Sequence, residues 1–189
     1  MLKDTDPGVR SRAATVLGQC SGRPVLAFLW QRVQAAEDRR VQEKAWLSLV
    51  QILSRSDDLE LLREWDHRLA EAHQNARRVQ LLTEVYKSAK QGGAFKGAVD
   101  AVAGMLVQVH LVQGKWSLAF PLVRELLNRP GSQGELERRL QWLLAVGKQA
   151  LDEGHPQEAL RAVQEAQPFL QGNSTLAADF DQLKRRVQP

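Results

Sequence analysis

The chain has 189 residues, 43% of them hydrophobic and 25% charged, and its 26 Lys and Arg outweigh 22 Asp and Glu for a formal charge of +4. That length suits one compact domain or a short run of stacked repeats. A single cysteine excludes an internal disulfide, no Cys/His spacing suits zinc, and neither a signal peptide nor a membrane-length apolar run is visible, so helix packing is expected to hold a soluble, cytoplasmic protein together.

Ala, Leu, Gln, Glu and Arg dominate and β-branched alternation never persists, which predicts an all-helical chain. Turn marks such as Asp6-Pro7, Gly22-Arg23-Pro24, Gly92-Gly93, Gly114, Pro130-Gly131 and Gly154-His155-Pro156 separate helices expected near 7–19, 24–36, 38–55, 57–72, 75–91, 94–113, 115–129, 133–153, 156–170 and 174–187. Between the fourth and fifth no Gly or Pro intervenes, so the reading there is either a break near Asn75 or one long bent helix. In the first helix Asp6 caps, Pro7 occupies the first turn, and Val9, Ala13, Val16 and Leu17 form one apolar stripe. The pattern recurs after 32 residues in Asp38, Val41, Ala45 and Leu49. Each of these helices precedes a second amphipathic one, "PVLAFLWQRV" or "LELLREWDHRL". Residues 1–56 carry 9 Lys and Arg against 5 Asp and Glu, whereas the remainder is balanced at 17 each, so the excess charge is N-terminal. Such a patch reads as solvated helix faces, or as a meeting point for an acidic partner or a phosphate backbone.

The opening string, with Asp4, Asp6, Pro7, Val9, Arg10, Ala13, Ala14, Leu17 and Gly18, resembles the short bacterial form of the HEAT repeat family. The second unit departs from that form at Arg39, Gln42, Trp46 and Val50. The resemblance covers roughly residues 2–72 and implies stacked helical hairpins, with Leu2, Lys3 and Asp4 as the ending of a preceding one. The neighbour so implied is a lost repeat, another subunit or the functional partner.

Later helices keep a different spacing: Gly154, Ala159 and Val163 repeat Gly114, Ala119 and Val123 after 40 residues. Leu143, Val146, Gly147, Ala150, Ala159, Val163 and Ala166 resemble the tetratricopeptide pattern, in which small residues let two antiparallel helices approach. Ala103, Leu106, Val107, His110, Ala119, Val123 and Leu126 form an earlier, looser version. In the last helix Leu176, Phe180, Leu183 and Val187 share one side, as in a terminal cap.

Chemical motifs are sparse. His67 and His73 face opposite sides of a helix, His110 reads as a partly buried helix residue and His155 as a solvated turn residue. "GGAFKG" at 92–97 reads as a turn, and Cys20 as a small packing residue beside a helix end. Trp30 and Trp65 lie about one repeat apart with Arg32, Arg63 and Arg68 beside them. They read either as inter-helix packing or as an aromatic and arginine surface for a peptide or an exposed base. HEAT-like DNA alkylation-repair glycosylases are similar in architecture, with Trp65-Asp66 as the nearest counterpart to their catalytic Asp beside aromatics. Some tetratricopeptide proteins clamp a peptide carboxylate from inner-face Lys and Asn. The corresponding positions here are Gln141, Leu144, Lys148 and Leu151, and Gly104, Gln108 and Leu111, of which Lys148 alone suits a clamp.

The expectation is therefore an all-α, right-handed α-solenoid of about ten antiparallel helices, HEAT-like over 1–72 and tetratricopeptide-like over 73–189. It would be a non-enzymatic scaffold without metal or cofactor, holding a protein or peptide segment on its concave surface through Trp30, Arg32, Arg63, Trp65, Arg68, Gln108, Gln141 and Lys148. Two alternatives stay open: a HEAT-like nucleic-acid binder or repair glycosylase, and a structural segment of a larger repeat protein that self-associates through its N-terminal repeat edge.

Overall fold

The computed structural model describes residues 4–20, 22–35, 38–171 and 174–188. Among these lie ten α-helices and no strand: α1 (Pro7–Leu17), α2 (Arg23–Gln34), α3 (Arg39–Arg55), α4 (Leu59–Glu71), α5 (Asn75–Lys90), α6 (Val99–Val112), α7 (Trp116–Leu127), α8 (Gln133–Asp152), α9 (Pro156–Ala166) and α10 (Ser174–Val187). No helix is long and apolar enough to cross a membrane among the described residues. Leu2 and Lys3, read as the ending of a preceding hairpin, lie outside the described residues.

Helix starts follow the capping logic of the sequence. Asp6 accepts the Gly8 N–H at 2.7 Å, Asp38 that of Arg40 at 2.9 Å, and Asp58 that of Leu61 at 2.9 Å. The sixth helix begins five residues later than expected. Gly92 and Gly93 first close α5, and the intervening stretch buries Phe95 before a 3-10 turn at Lys96–Ala98.

The chain divides into two compact units, Met1–Val99 and Asp100–Pro189. In the first, α1 and α2 pack on α3, while α3 and α4 pack on α5, so α5 belongs with the helices before it. The centre of this unit is α3, whose Val41, Ala45, Leu49 and Leu53 recur every fourth residue and are fully buried. Burying each leucine contributes about 1.5–3 kcal/mol. The stripe expected on α1 is rotated: Val16 is 61% exposed, and Ala14 with Gly18 faces α3 instead. A Cβ on Gly18 would lie 2.8 Å from the Ser48 hydroxyl, so this approach turns Val16 outward. Cys20 is exposed, not packed as expected.

In the second unit α7 and α9 flank α8, and α10 packs on both α8 and α9. Leu143, Val146, Gly147, Ala150, Ala159, Val163 and Ala166 are all buried, as their spacing predicts. A Cβ on Gly147 would stand 3.2 Å from that of Ala162 and 2.7 Å from Leu183 Cδ2, which is why glycine occupies the place. The α6 helix meets α8 where the Trp142 ring lies over Gly104 and where Gln149 Nε2 donates to the Leu111 carbonyl at 2.8 Å.

The α4–α5 boundary, left open by the sequence, is a sharp break. His73 adopts φ 53°, its N–H donates to the Ala70 carbonyl, and the Gln74 N–H reaches back to Leu69 at 2.9 Å. This is a left-handed helix stop built on histidine, a conformation usually left to glycine. Gly114 and Gly154 make the same pair of bonds, with Lys115 donating to His110 and His155 to Ala150, both at 2.8 Å. Gly92 and Gly93 end α5 with the same bonds, so four helix ends share this stop, and those after α4, α6 and α8 stand at spacings of 41 and 40 residues.

Candidate functional site

The aromatic residues read as an anchoring surface are mostly interior. Trp30 on α2 is 7% exposed and Trp65 on α4 is 2% exposed; their rings meet edge to face with centroids 5.7 Å apart. This corrects the reading of both as partner-facing: an indole loses far more water contact between two helices than on a surface, and here each ring supplies the other's partner. What emerges at the surface is the cover of this pair. The Arg68 guanidinium lies 4.7 Å from the Trp65 ring centroid, and Glu64 accepts from Arg68 at 3.4 Å and from Arg23 of α2 at 2.6 Å. Arg63 pairs with Glu60, and Arg32 stands 6.0 Å from the Phe28 ring centroid. Arg23, Arg63 and Arg68 thus have carboxylate partners within this unit.

Asp66, beside Trp65, is held on both oxygens by Arg78 of α5, each bond 2.9 Å long, with both side chains largely buried. A carboxylate so engaged ties α4 to α5 as the anionic half of a two-pronged ion pair. No local pattern marks this pair, because Asp66 and Arg78 lie on different helices. At the spacing of the stops after α4, α6 and α8, position 66 corresponds to Val107 and Gly147, and position 78 to Ala119 and Ala159. The ion pair stands where the other two hairpins place small or apolar residues, all of them buried.

In the second unit Gln108 on α6, and Gln141 and Lys148 on α8, are exposed. Gln141 and Lys148 are seven residues apart and therefore share one face of α8. The same unit holds a network that no local pattern marks: Asp100 accepts from Arg129 at 2.8 Å and from Arg139 at 3.2 Å, and Arg139, 4% exposed, also donates to the Arg129 carbonyl. His110 is 6% exposed, and burial, with the Lys115 charge second, pushes its imidazole below the usual 6.5. His155 is exposed and lies 5.3 Å from the Trp116 ring.

A further surface lies on the first unit. Arg40, Lys44 and Leu47 are exposed along α3 and Gln51 is half-buried, spaced as one stripe opposite the buried Val41, Ala45 and Leu49. Arg40 and Arg12 of α1 line one groove of about 550 Å³; Leu47, Val50 and Gln51 line another of about 520 Å³ against Gln80, Glu84 and Lys87 of α5. The spacing of positions 40, 44, 47 and 51 was readable in the sequence, but only α1 and α5 give the stripe its walls.

Among the described residues no group of three or more His, Cys, Asp or Glu side chains is placed to hold a metal ion. No protein-family model, curated protein or solved structure matches the chain.

Proposed function

We propose that the chain is a non-enzymatic protein-interaction scaffold. In this reading it is a right-handed α-solenoid, HEAT-like over 1–72 and tetratricopeptide-like over 73–189, that binds a partner segment along the exposed side of a helix row. The observation carrying it is the packing order within each unit. Helices pack on those two places along the chain: α1 on α3 and α3 on α5, with Trp30 of α2 on Trp65 of α4. In the second unit α8 packs on α10, and α7 joins α9 through Arg124 and Glu165 at 3.0 Å. Rows built in this way leave one side of each helix free over a long surface, the arrangement repeat proteins use to hold extended or helical segments. The 41- and 40-residue spacing of the stops after α4, α6 and α8 supports a repeating hairpin.

Selection of a phage-displayed random peptide library against the immobilised full chain tests the proposal. Sequences should enrich, and a selected peptide should lose binding when surface positions such as Arg40, Lys44, Gln141 or Lys148 are substituted. Failure to enrich beyond an unrelated helical protein would overturn the scaffold reading. Tight, salt-sensitive binding of a fluorescent DNA duplex would transfer support to the nucleic-acid alternative.

A further inference from the structure

We infer that the α1–α3–α5 face of the first unit is a docking surface for an acidic protein segment carrying a large apolar side chain. The inference rests on the scaffold reading and names the partner's chemistry. Residues 1–99 hold 16 Lys and Arg against 12 Asp and Glu, while residues 100–189 hold 10 of each, so the whole excess of positive charge belongs to this unit.

Pairing decides where that excess is available. Glu43 is engaged by Arg39 at 2.8 Å and Glu84 by Lys87 at 3.0 Å, while Asp6 and Asp38 accept the backbone N–H groups of their own helix starts. Among the described residues the side chains of Arg12, Arg40 and Lys44 have no such partner, and all three are exposed. Arg12 and Arg40 line the same groove together with Asp6 and Asp38, whose carboxylates cap the two helix starts, and Lys44 is one turn of α3 further on. One turn beyond Lys44, Leu47 is 49% exposed at the second groove, beside Val50.

The order along the stripe is therefore cation, cation, apolar contact, amide. From Arg40 to Gln51 the helix rises by roughly 16 Å, which an extended segment of about five residues spans. A complementary segment places carboxylates against Arg12, Arg40 and Lys44 and an apolar side chain on Leu47. Charge complementarity of this kind raises encounter rate and selects against basic competitors, while the apolar contact slows dissociation. A nucleic acid satisfies the cations but leaves Leu47 unused, and the unit's Trp30, Trp46 and Trp65 are buried, not arrayed for base stacking.

The test uses the full chain and fluorescence anisotropy. The probes are a fluorescein-labelled decapeptide alternating glutamate with leucine and phenylalanine, its glutamine counterpart, and a labelled DNA duplex. At about 50 mM salt, where exposed charges act over roughly 14 Å, the glutamate peptide should bind at least tenfold tighter than the glutamine peptide. Combined Arg12→Gln, Arg40→Gln and Lys44→Gln should erase that preference, and Leu47→Ser should weaken both peptides severalfold while preserving their ratio. All four positions are exposed, and unchanged circular dichroism melting verifies the fold. Equal binding of the two peptides, a preference that survives the triple substitution, or duplex binding that ignores Leu47 and excludes the peptide would each overturn the inference. A library-selected peptide that binds but is indifferent to all four substitutions would overturn this surface and leave the scaffold reading standing.

Discussion

The Asp66–Arg78 pair gives the most direct test of how the first unit is held together. Both side chains are largely buried, at 13% and 15% exposure, and both bonds of the fork are 2.9 Å. Arg78→Ala removes two charge-assisted bonds and leaves a largely buried Asp66 without its cation, between helices whose Leu62, Leu69 and Leu82 are fully buried. Breaking a fully buried pair costs about 3–5 kcal/mol. The residual exposure lets water reach the orphaned carboxylate, so the expected cost is about 2–3 kcal/mol, near that of charged hydrogen bonds elsewhere. Asp66→Leu combined with Arg78→Met removes both charges at similar volume, and the double variant should lie within about 1 kcal/mol of the parent. Urea unfolding followed by tryptophan fluorescence and circular dichroism reads both, since Trp65 adjoins the pair. With a slope of about 1–2 kcal/mol/M for a unit this size, the single variant should lose roughly 1–3 M in midpoint and the double variant little. A single variant as stable as the parent, or a double variant as unstable as the single, would refute the reasoning.

Three further outcomes follow from the turns and the core. His73→Gly relieves a left-handed histidine and should raise stability by about 0.5–1 kcal/mol, whereas His73→Val should lower it by more, both measured by thermal melting. Gly147→Val, whose Cβ would stand 2.7 Å from Leu183 and 3.2 Å from Ala162, should cost about 1–3 kcal/mol through overpacking in the same assay. The imidazole of His110 titrates below its unfolded value, so the unfolded chain binds the extra proton first. Its contribution to stability is complete above the usual 6.5 and is lost as pH falls through the lower folded value. Leucine occupies the equivalent position 69, so His110→Leu should flatten the dependence of the urea midpoint between about pH 7.5 and pH 5; an unchanged slope would show that another group governs it.

Helix positions were legible because their signals are local. Asp6-Pro7, Asp38 and Gly154 cap or stop a helix with bonds to residues only a few places away, and the fourfold spacing of Val41, Ala45, Leu49 and Leu53 fixes which side of α3 is apolar. The break between α4 and α5 was legible only as one of two readings, because it turns on a histidine, which enters the left-handed region only where the surrounding bonds hold it there. The role of Val16 was misjudged because the α1 stripe is centred by the close approach at Gly18 and Ser48, which is a property of two helices.

The same division separates the candidate surfaces. Sequence alone determined that the chain is helical, where its helices lie, which later residues are small for close packing, and that the positive charge is N-terminal. Only the tertiary structure decided which of the charged and aromatic residues remain available to a partner. Trp30 and Trp65 satisfy each other, Asp66 is taken by Arg78 and Asp100 by two arginines, whereas Arg12, Arg40 and Lys44 remain facing solvent. Availability depends on what the rest of the fold has already paired or buried, and that is settled between helices, beyond the reach of a local pattern.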